Sequence, residues 1–279
     1  MRAVEVIKIG SDLLKKKRIQ SHILDSELLL SKTLNKSREE ILVNLDQQIN
    51  KRNFVIFKKY LQRRFNNEPV AYILGEKEFW SKKFQINKDT LIPRPETELM
   101  VEEILKINKK RKISILDIGT GSGCIILSLL NVLKDSYGTG IDISKKALFI
   151  AKKNAIKHNL INRVKFKNVS FESYVSNKYD LIVSNPPYIK KNDIKYLTED
   201  IKKFEPRMAL DGGNDGLDLI KKVIYKSKKI LKLKGILALE IGNGQVKKVS
   251  KILFDNNFRI KQLIKDYGNN VRCVFAQLK

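Results

Sequence analysis

Residues 115–123 read Ile-Leu-Asp-Ile-Gly-Thr-Gly-Ser-Gly, an apolar strand running directly into three glycines at alternate positions, with the apolar stretch 124–133 immediately after. No other segment of the chain restricts its fold as much. Glycine adopts backbone angles closed to other residues, so a strand that ends this way can turn sharply into a helix and let a ligand approach the backbone at the carboxyl edge of a sheet. Around it, short β-type runs at 114–118, 137–141, 164–167, 181–184, 236–240, 260–264 and 271–277 alternate with helix-patterned segments at 96–107, 124–133, 145–158, 217–231 and 245–256. Such alternation needs crossover connections, which predicts an α/β fold with a mostly parallel sheet covered on both faces. Between the last two strands lie only residues 265–270, too few for a crossover, so the sheet should end in an antiparallel hairpin.

The chain before this region reads differently. Apolar residues recur at helical spacing in Ile23, Leu24, Leu28, Leu30 and Leu34, and again in Phe54, Phe57, Tyr60, Leu61 and Phe65, which predicts several short helices. Ser21 and Ser37 stand where N-caps are expected, and Ser37 with Glu40 forms a capping-box pattern. Residues 78–87, Glu-Phe-Trp-Ser-Lys-Lys-Phe-Gln-Ile-Asn, read as a hairpin of two aromatic-rich runs around a polar pair. A boundary near residue 87 divides the 279 residues into a helical domain, 1–86, and an α/β domain, 87–279.

Several classes of chemistry drop out on composition. Two cysteines, Cys124 and Cys273, lie far apart with no paired spacing, and His22 and His158 are the only histidines, so a zinc site and Ser/His/Asp catalysis are not expected. No metal is expected either. Residues 1–10 interleave charge with apolar residues, and no run reaches the length of a spanning helix, which points to a cytoplasmic protein with no membrane partner. The formal charge of +26 would suit a polyanion. However, Lys outnumbers Arg 44 to 12 and the excess is spread evenly along the chain, as solvated lysine-rich faces would be.

The glycine turn admits three nucleotide-type readings. A phosphate-cradling loop requires Gly-Lys-Ser/Thr at its end, but Cys124 and Ile125 follow; a dinucleotide fingerprint requires glycine at 124. The spacing Gly119-x-Gly121-x-Gly123, preceded by Asp117, instead resembles motif I of the class I S-adenosylmethionine-dependent methyltransferases. On that resemblance the cofactor is S-adenosyl-L-methionine, held by Asp117, Gly119, Thr120, Gly121, Ser122 and Gly123. A turn that merely packs helix on strand remains the alternative. Asp142, at the end of the next strand, could accept hydrogen bonds from both ribose hydroxyls or cap the helix that starts near Ser144.

Ser184-Asn185-Pro186-Pro187-Tyr188 follows the strand at 181–184. Two prolines fix the backbone, remove two donors and leave carbonyls to accept, while Asn185 adds a side-chain oxygen and Tyr188 a flat face. These groups suit a planar nitrogen bearing two hydrogens. A rigid loop with no ligand is the plain alternative. The motif resembles that of the amino-methyltransferases, which act on adenine, guanine or protein glutamine. Residues 68–75 (Glu-Pro-Val-Ala-Tyr-Ile-Leu-Gly), Glu78-Phe79-Trp80, residues 91–98 (Leu-Ile-Pro-Arg-Pro-Glu-Thr-Glu), Phe204-Glu205-Pro206, Asp215-Gly216-Leu217 and residues 266–272 choose among them. Together these resemble the PrmC/HemK family, which methylates the Gly-Gly-Gln glutamine of class-1 peptide-chain release factors.

That resemblance implies a Rossmann-like class I methyltransferase sheet with a small N-terminal helical domain, which would recognise the substrate protein. It further implies that Asn185, Pro186, Pro187 and Tyr188 bind and orient the glutamine amide, that Asn185 also borders the cofactor, and that Phe171 packs on the adenine. Release factors are the expected partners, with no direct nucleic-acid substrate and a monomeric enzyme. One departure stands out: relatives often carry an acid before the aromatic near the adenine, and here that position is Ser170. The alternatives are a nucleic-acid amino-methyltransferase, favoured by the charge, and a non-catalytic module that keeps the cofactor pocket.

Overall fold

The computed structural model describes residues 1–108, 112–175 and 178–279. They form two compact units, Met1–Glu76 with Thr198–Phe204, and Lys77–Leu197 with Glu205–Lys279. The division falls ahead of the change of pattern near residue 87 because the first hairpin strands, β1 (Glu76–Phe79) and β2 (Lys82–Gln85), bury Phe79 and Phe84 in the core of the larger unit.

The smaller unit contains α1 (Ala3–Lys16), α2 (His22–Leu34), α3 (Arg38–Val43), α4 (Lys51–Phe65) and α5 (Val70–Leu74), together with α9 (Glu199–Phe204). Leu14, Leu29, Leu30, Ile41 and Phe57 form its centre. At Gly10 a Cβ would lie 2.3 Å from Ser26 Oγ, so the glycine lets α1 and α2 come close. The capping box is present: Glu40 N donates to Ser37 Oγ at 3.1 Å, and Ser37 N donates to Glu40 Oε2 at 2.6 Å. Ser21 occupies the N-cap of α2 but makes no side-chain capping bond. Inside the unit Arg64 Nε donates to Asp25 Oδ2 at 2.6 Å, which pairs two otherwise costly buried charges.

In the larger unit, α6 (Pro95–Ile107), β3 (Ser114–Ile118), α7 (Cys124–Val132), β4 (Tyr137–Asp142), α8 (Lys145–Lys157), β5 (Val164–Asn168) and β6 (Tyr179–Ser184) precede α9 in the chain. After α9 come α10 (Asp218–Ile230), β7 (Leu231–Glu240), α11 (Val246–Asp255), β8 (Phe258–Lys265) and β9 (Val271–Leu278). The seven-stranded sheet has the order β5-β4-β3-β6-β7-β9-β8, and β9 is antiparallel to both of its neighbours. The expected parallel sheet with its closing hairpin is therefore observed.

Strand side chains alternate between two cores. Ile115, Leu181, Val183 and Ala238 face Met100, Ile104, Ile126 and Leu130 of α6 and α7. Leu116, Ile182, Leu237 and Leu239 share the other core with Ile220, Ile224, Val249 and Leu253 of α10 and α11. By the same alternation Asp117 and Glu240 fall on the α6/α7 side. The chain leaves β3 toward β4 on one side and β6 toward β7 on the other, so the carboxyl ends of β3 and β6 flank a topological switch point, the place where such sheets bind ligands. Among the described residues, no helix is long and apolar enough to cross a membrane, and no group of three or more His, Cys, Asp or Glu could hold a metal ion.

Candidate active site

The loop after β3 is built from backbone. Gly119, Gly121 and Gly123 all take the left-handed conformation, φ +73°, +56° and +80°, and a Cβ at Gly123 would come within 3.0 Å of Leu127. Gly119 N and Thr120 N both donate to the Ile141 carbonyl, tying the turn to the end of β4. Gly121 N donates to Asp142 Oδ2 at 3.0 Å, and Ser144 N to Asp142 Oδ1 at 2.9 Å. Ser144 Oγ caps α8 by accepting from Ala147 N at 3.1 Å, so Asp142 is not spent as that helix's cap. Its two oxygens keep further lone pairs for a ligand. Burial raises its pKa, and the amides of Ser144 and Gly121 work against that rise.

Behind the loop, Asp117 is wholly buried, accepts from Thr120 Oγ1 at 2.7 Å, and has no partner for Oδ1. Burial pushes its carboxyl up to about 7. The Ser122 carbonyl accepts from Asn154 Nδ2 at 2.9 Å, and the same side chain pairs with both backbone groups of Gln85, which anchors the loop to the hairpin.

The loop after β6 is held by side chains. Asn185 Nδ2 donates to Thr97 Oγ1 at 3.3 Å; Thr97 Oγ1 donates to Glu240 Oε2 at 2.6 Å; the Tyr188 hydroxyl donates to Glu240 Oε1 at 3.2 Å. Glu240 and Thr97 are 1% and 2% exposed, so their bonds are made out of reach of water. Burial pushes the Glu240 carboxyl up to about 7 and raises the Tyr188 phenol. Gln245 Nε2 donates to the carbonyls of Tyr188 and Gly216, at 3.0 and 3.1 Å, while Gln245 Oε1 accepts from Gly242 N. Nearby, the buried Glu205 accepts from Ile92 N and from Arg94, which fixes the segment carrying Leu91.

A cavity of about 380 Å³ opens between the two loops. Gly119, Gly121 and Asp142 border it on one side, Asn185, Pro186 and Pro187 on another, and Phe171 and Leu91 contribute apolar wall. Asp117, Thr120, Ser122 and Gly123 stand behind the glycine loop instead of lining it, and Tyr188 turns into the packed core with its hydroxyl on Glu240. Ser170 lines the cavity but its hydroxyl accepts from Ser173 N; the next acid, Glu172, is paired with Lys222 at 2.7 Å. Thr97, Asn154, Glu205, Glu240 and Gln245 were not singled out as functional residues from the sequence. Thr97 and Glu205 did lie inside the stretches that carried the family resemblance, and Glu240 is an acid between Leu239 and Ile241 in a buried strand, a pattern that demands a partner.

The cavity lies in the usual size range for a small-ligand site, and it sets a hydrogen-bonded carboxylate and backbone amides beside an apolar wall. Those surroundings fit a nucleoside cofactor. With this sheet order, this switch-point crevice and Asn-Pro-Pro-Tyr after the fourth parallel strand, the molecule is a class I S-adenosylmethionine-dependent methyltransferase. Residues 5–75 match the PrmC N-terminal domain, and residues 95–213 match the methyltransferase small domain. The release factor glutamine methyltransferase of Buchnera aphidicola subsp. Schizaphis graminum is 43% identical over 256 residues, 91% of this chain and 92% of its own. That of Fusobacterium nucleatum subsp. nucleatum is 38% identical over 283 residues, 98% and 78% respectively. The chain belongs to the release factor glutamine methyltransferase (PrmC/HemK) family. Among solved structures, the hMettl16 catalytic domain in complex with the MAT2A 3′UTR hairpin 6 superposes with a TM-score of 0.61 at 18% identity, over 76% of this chain and 83% of that one, a likeness of fold alone.

Proposed function

We propose that this enzyme methylates the side-chain amide N5 of the glutamine in the Gly-Gly-Gln motif of class-1 peptide-chain release factors. The observation that carries the reading is the direction of the Asn185 amide: its Nδ2 is committed to Thr97, which leaves Oδ1 as an acceptor at the cavity. Family membership supplies the substrate class.

Asp142 and the backbone of Gly119 and Gly121 would hold the nucleoside of S-adenosylmethionine, with Phe171 against its base; Asp117, Thr120, Ser122 and Gly123 shape the loop from behind. When bound, S-adenosylmethionine supplies a methyl group on a sulfonium, already activated for transfer. The chain must supply alignment and a site that favours attack by nitrogen. Asn185 Oδ1 and the Pro186 carbonyl accept the two N–H groups of the substrate amide, which turns the nitrogen lone pair toward the methyl. An amide nitrogen is a weak nucleophile because its lone pair is delocalised. The same two oxygens stabilise the positive charge that grows on the nitrogen, and the proton passes afterwards to water. Pro187 stiffens the loop, and Tyr188 anchors it by packing into the core with its hydroxyl on Glu240. Neither a metal nor a nucleic-acid substrate has a part in this scheme. Residues 1–86 recognise the release factor away from the chemistry, residues 87–279 carry out the transfer, and the enzyme works as a cytoplasmic monomer.

The test is direct. Purified enzyme with S-adenosylmethionine should add one methyl group to a release factor at the Gly-Gly-Gln glutamine, read by mass spectrometry of the digest, and changing that glutamine should abolish the product. Methyl transfer to oligonucleotides with none to a release factor would move the assignment to a nucleic-acid amino-methyltransferase.

A further inference from the structure

The buried chain Asn185–Thr97–Glu240–Tyr188 has a polarity as well as a geometry. A carboxylate only accepts hydrogen bonds, so both groups that reach Glu240 must donate to it. Thr97 has one hydroxyl hydrogen and spends it on Glu240 Oε2 at 2.6 Å. What remains at Thr97 Oγ1 is acceptor capacity alone, and the only part of an Asn side chain that can satisfy it is Nδ2. Oδ1 then points the other way.

We infer that Glu240 and Thr97 are positioning residues that set the flip of the Asn185 amide, so that an acceptor instead of a donor faces the substrate nitrogen. Neither residue lines the cavity. Both sit on rigid elements, Thr97 in the first turn of α6 and Glu240 at the end of β7. The device answers a general difficulty: the two ends of an Asn amide have nearly the same shape, so packing cannot choose between them, and a hydrogen-bond chain with an acceptor-only terminus can.

The isosteric variant Glu240→Gln shows what is at stake. In a buried site the arrangement that keeps both hydroxyl hydrogens paired has the new Gln Oε1 accepting from Tyr188 and its Nε2 donating to Thr97. Thr97 must then donate to Asn185 Oδ1, and Nδ2 turns toward the substrate. The opposite placement of the Gln leaves the Tyr188 hydroxyl hydrogen without an acceptor, at the cost of an unpaired buried donor. Size and fold are preserved while the polarity of the chain inverts.

The inference rests on the proposed role of Asn185 as acceptor for the glutamine amide, and the experiment separates the two. Wild-type enzyme is first assayed on a Gly-Gly-Gln peptide; absence of transfer there would remove the functional reading itself. With that activity in hand, Glu240→Gln should lower kcat by at least about tenfold, while affinity for S-adenosylhomocysteine stays within about twofold. Thr97→Val should show a comparable loss, and Thr97→Ser, which keeps the hydroxyl, should restore most of the rate. A second readout needs no turnover: fluorescence anisotropy of labelled peptides in the presence of S-adenosylhomocysteine. The ratio of affinities for Gly-Gly-Glu over Gly-Gly-Gln should rise in Glu240→Gln, because the turned amide offers a donor to a carboxylate. A purely structural role would weaken both peptides alike and leave that ratio unmoved. An unmoved ratio in a variant that still binds S-adenosylhomocysteine, or wild-type kcat in Glu240→Gln, would overturn the inference. Should Glu240→Gln fail to bind S-adenosylhomocysteine, the Thr97 pair decides: equal rates in Thr97→Val and Thr97→Ser would refute it.

Discussion

The two loops that border the cavity are built from opposite materials. After β3 the chain turns on three left-handed glycines and holds itself through amides donating to the Ile141 carbonyl and to Asp142. After β6 it turns on two prolines and is fixed by Thr97, Glu240 and Gln245, side chains contributed by α6, the end of β7 and the residue before α11. A nucleoside can be gripped by backbone and one carboxylate, since its hydroxyls both donate and accept. A planar amide is more demanding, because an acceptor in place of a donor decides whether its nitrogen is held or repelled. The difference teaches where specificity resides: the first loop is general, and the second has to be told which way its one amide faces.

The largest effect is expected on the second loop. Asn185→Ala removes a preorganised acceptor and should lower the single-turnover rate by roughly 10²–10³, about 3–4 kcal/mol of barrier, while leaving affinity for S-adenosylhomocysteine intact. Turnover equal to wild type would erase the contrast between the loops. Next comes the first loop. Asp142→Ala should weaken S-adenosylhomocysteine by about one to two decades, roughly 1.5–3 kcal/mol, because charge-assisted hydrogen bonds to the ribose are lost. Calorimetric titration measures it, and unchanged affinity would mean that the ribose lies elsewhere.

The third prediction sets the loops against each other through pH. Asp117 behind the first and Glu240 behind the second are both pushed by burial to about 7. In the window from about 4.5 to 7 the folded chain therefore holds protons that the unfolded chain has lost, so its stability should fall as pH rises, by up to about 1.4 kcal/mol per pH unit for each of the two groups. Activity should run the other way. Protonated Glu240 can donate to Thr97 and release the Asn185 flip, so kcat should drop as pH falls through about 7. Glu96 and Arg272 also face Glu240, the first raising and the second lowering its pKa. Denaturant melts and kcat profiles over the same buffers would show the crossing; parallel trends would refute it.

Much of this was legible in the sequence because it is local. The glycine turn, the Asn-Pro-Pro-Tyr loop and the strand–helix alternation each announce themselves within a few residues, and the terminal hairpin follows from a connection too short to cross over. Asp142 could be paired with the glycines because both sit at adjacent strand tips. Thr97 and Glu240 were hidden for the converse reason: they meet across 143 residues of chain, and Asn185 meets Thr97 across 88. Only the parallel sheet brings them together. The short α5, the 3₁₀ turn at Lys191–Tyr196 and α9 were missed because five or six residues carry too little periodicity to mark a helix. Glu240 did leave a trace, as a charge at the end of the apolar run 236–239, but such a trace names the need for a partner without naming the partner.

The smallest effect should come from Tyr188→Phe, and it sharpens the comparison most finely. The variant takes away the donor at Glu240 Oε1 and leaves Oε2 with Thr97, so the polarity that turns Asn185 survives. A buried carboxylate oxygen loses one hydrogen bond, which should cost about 1 kcal/mol of stability. The rate at pH well above 7 should change by no more than a few fold, and S-adenosylhomocysteine affinity should not move. Because the Tyr188 bond is one of the contacts that lower the Glu240 pKa, its removal should raise that pKa and shift the acid limb of kcat to higher pH. A limb that stays in place would mean that Glu240 does not govern it, and a rate loss as deep as that of Asn185→Ala would place Tyr188 in contact with the substrate amide.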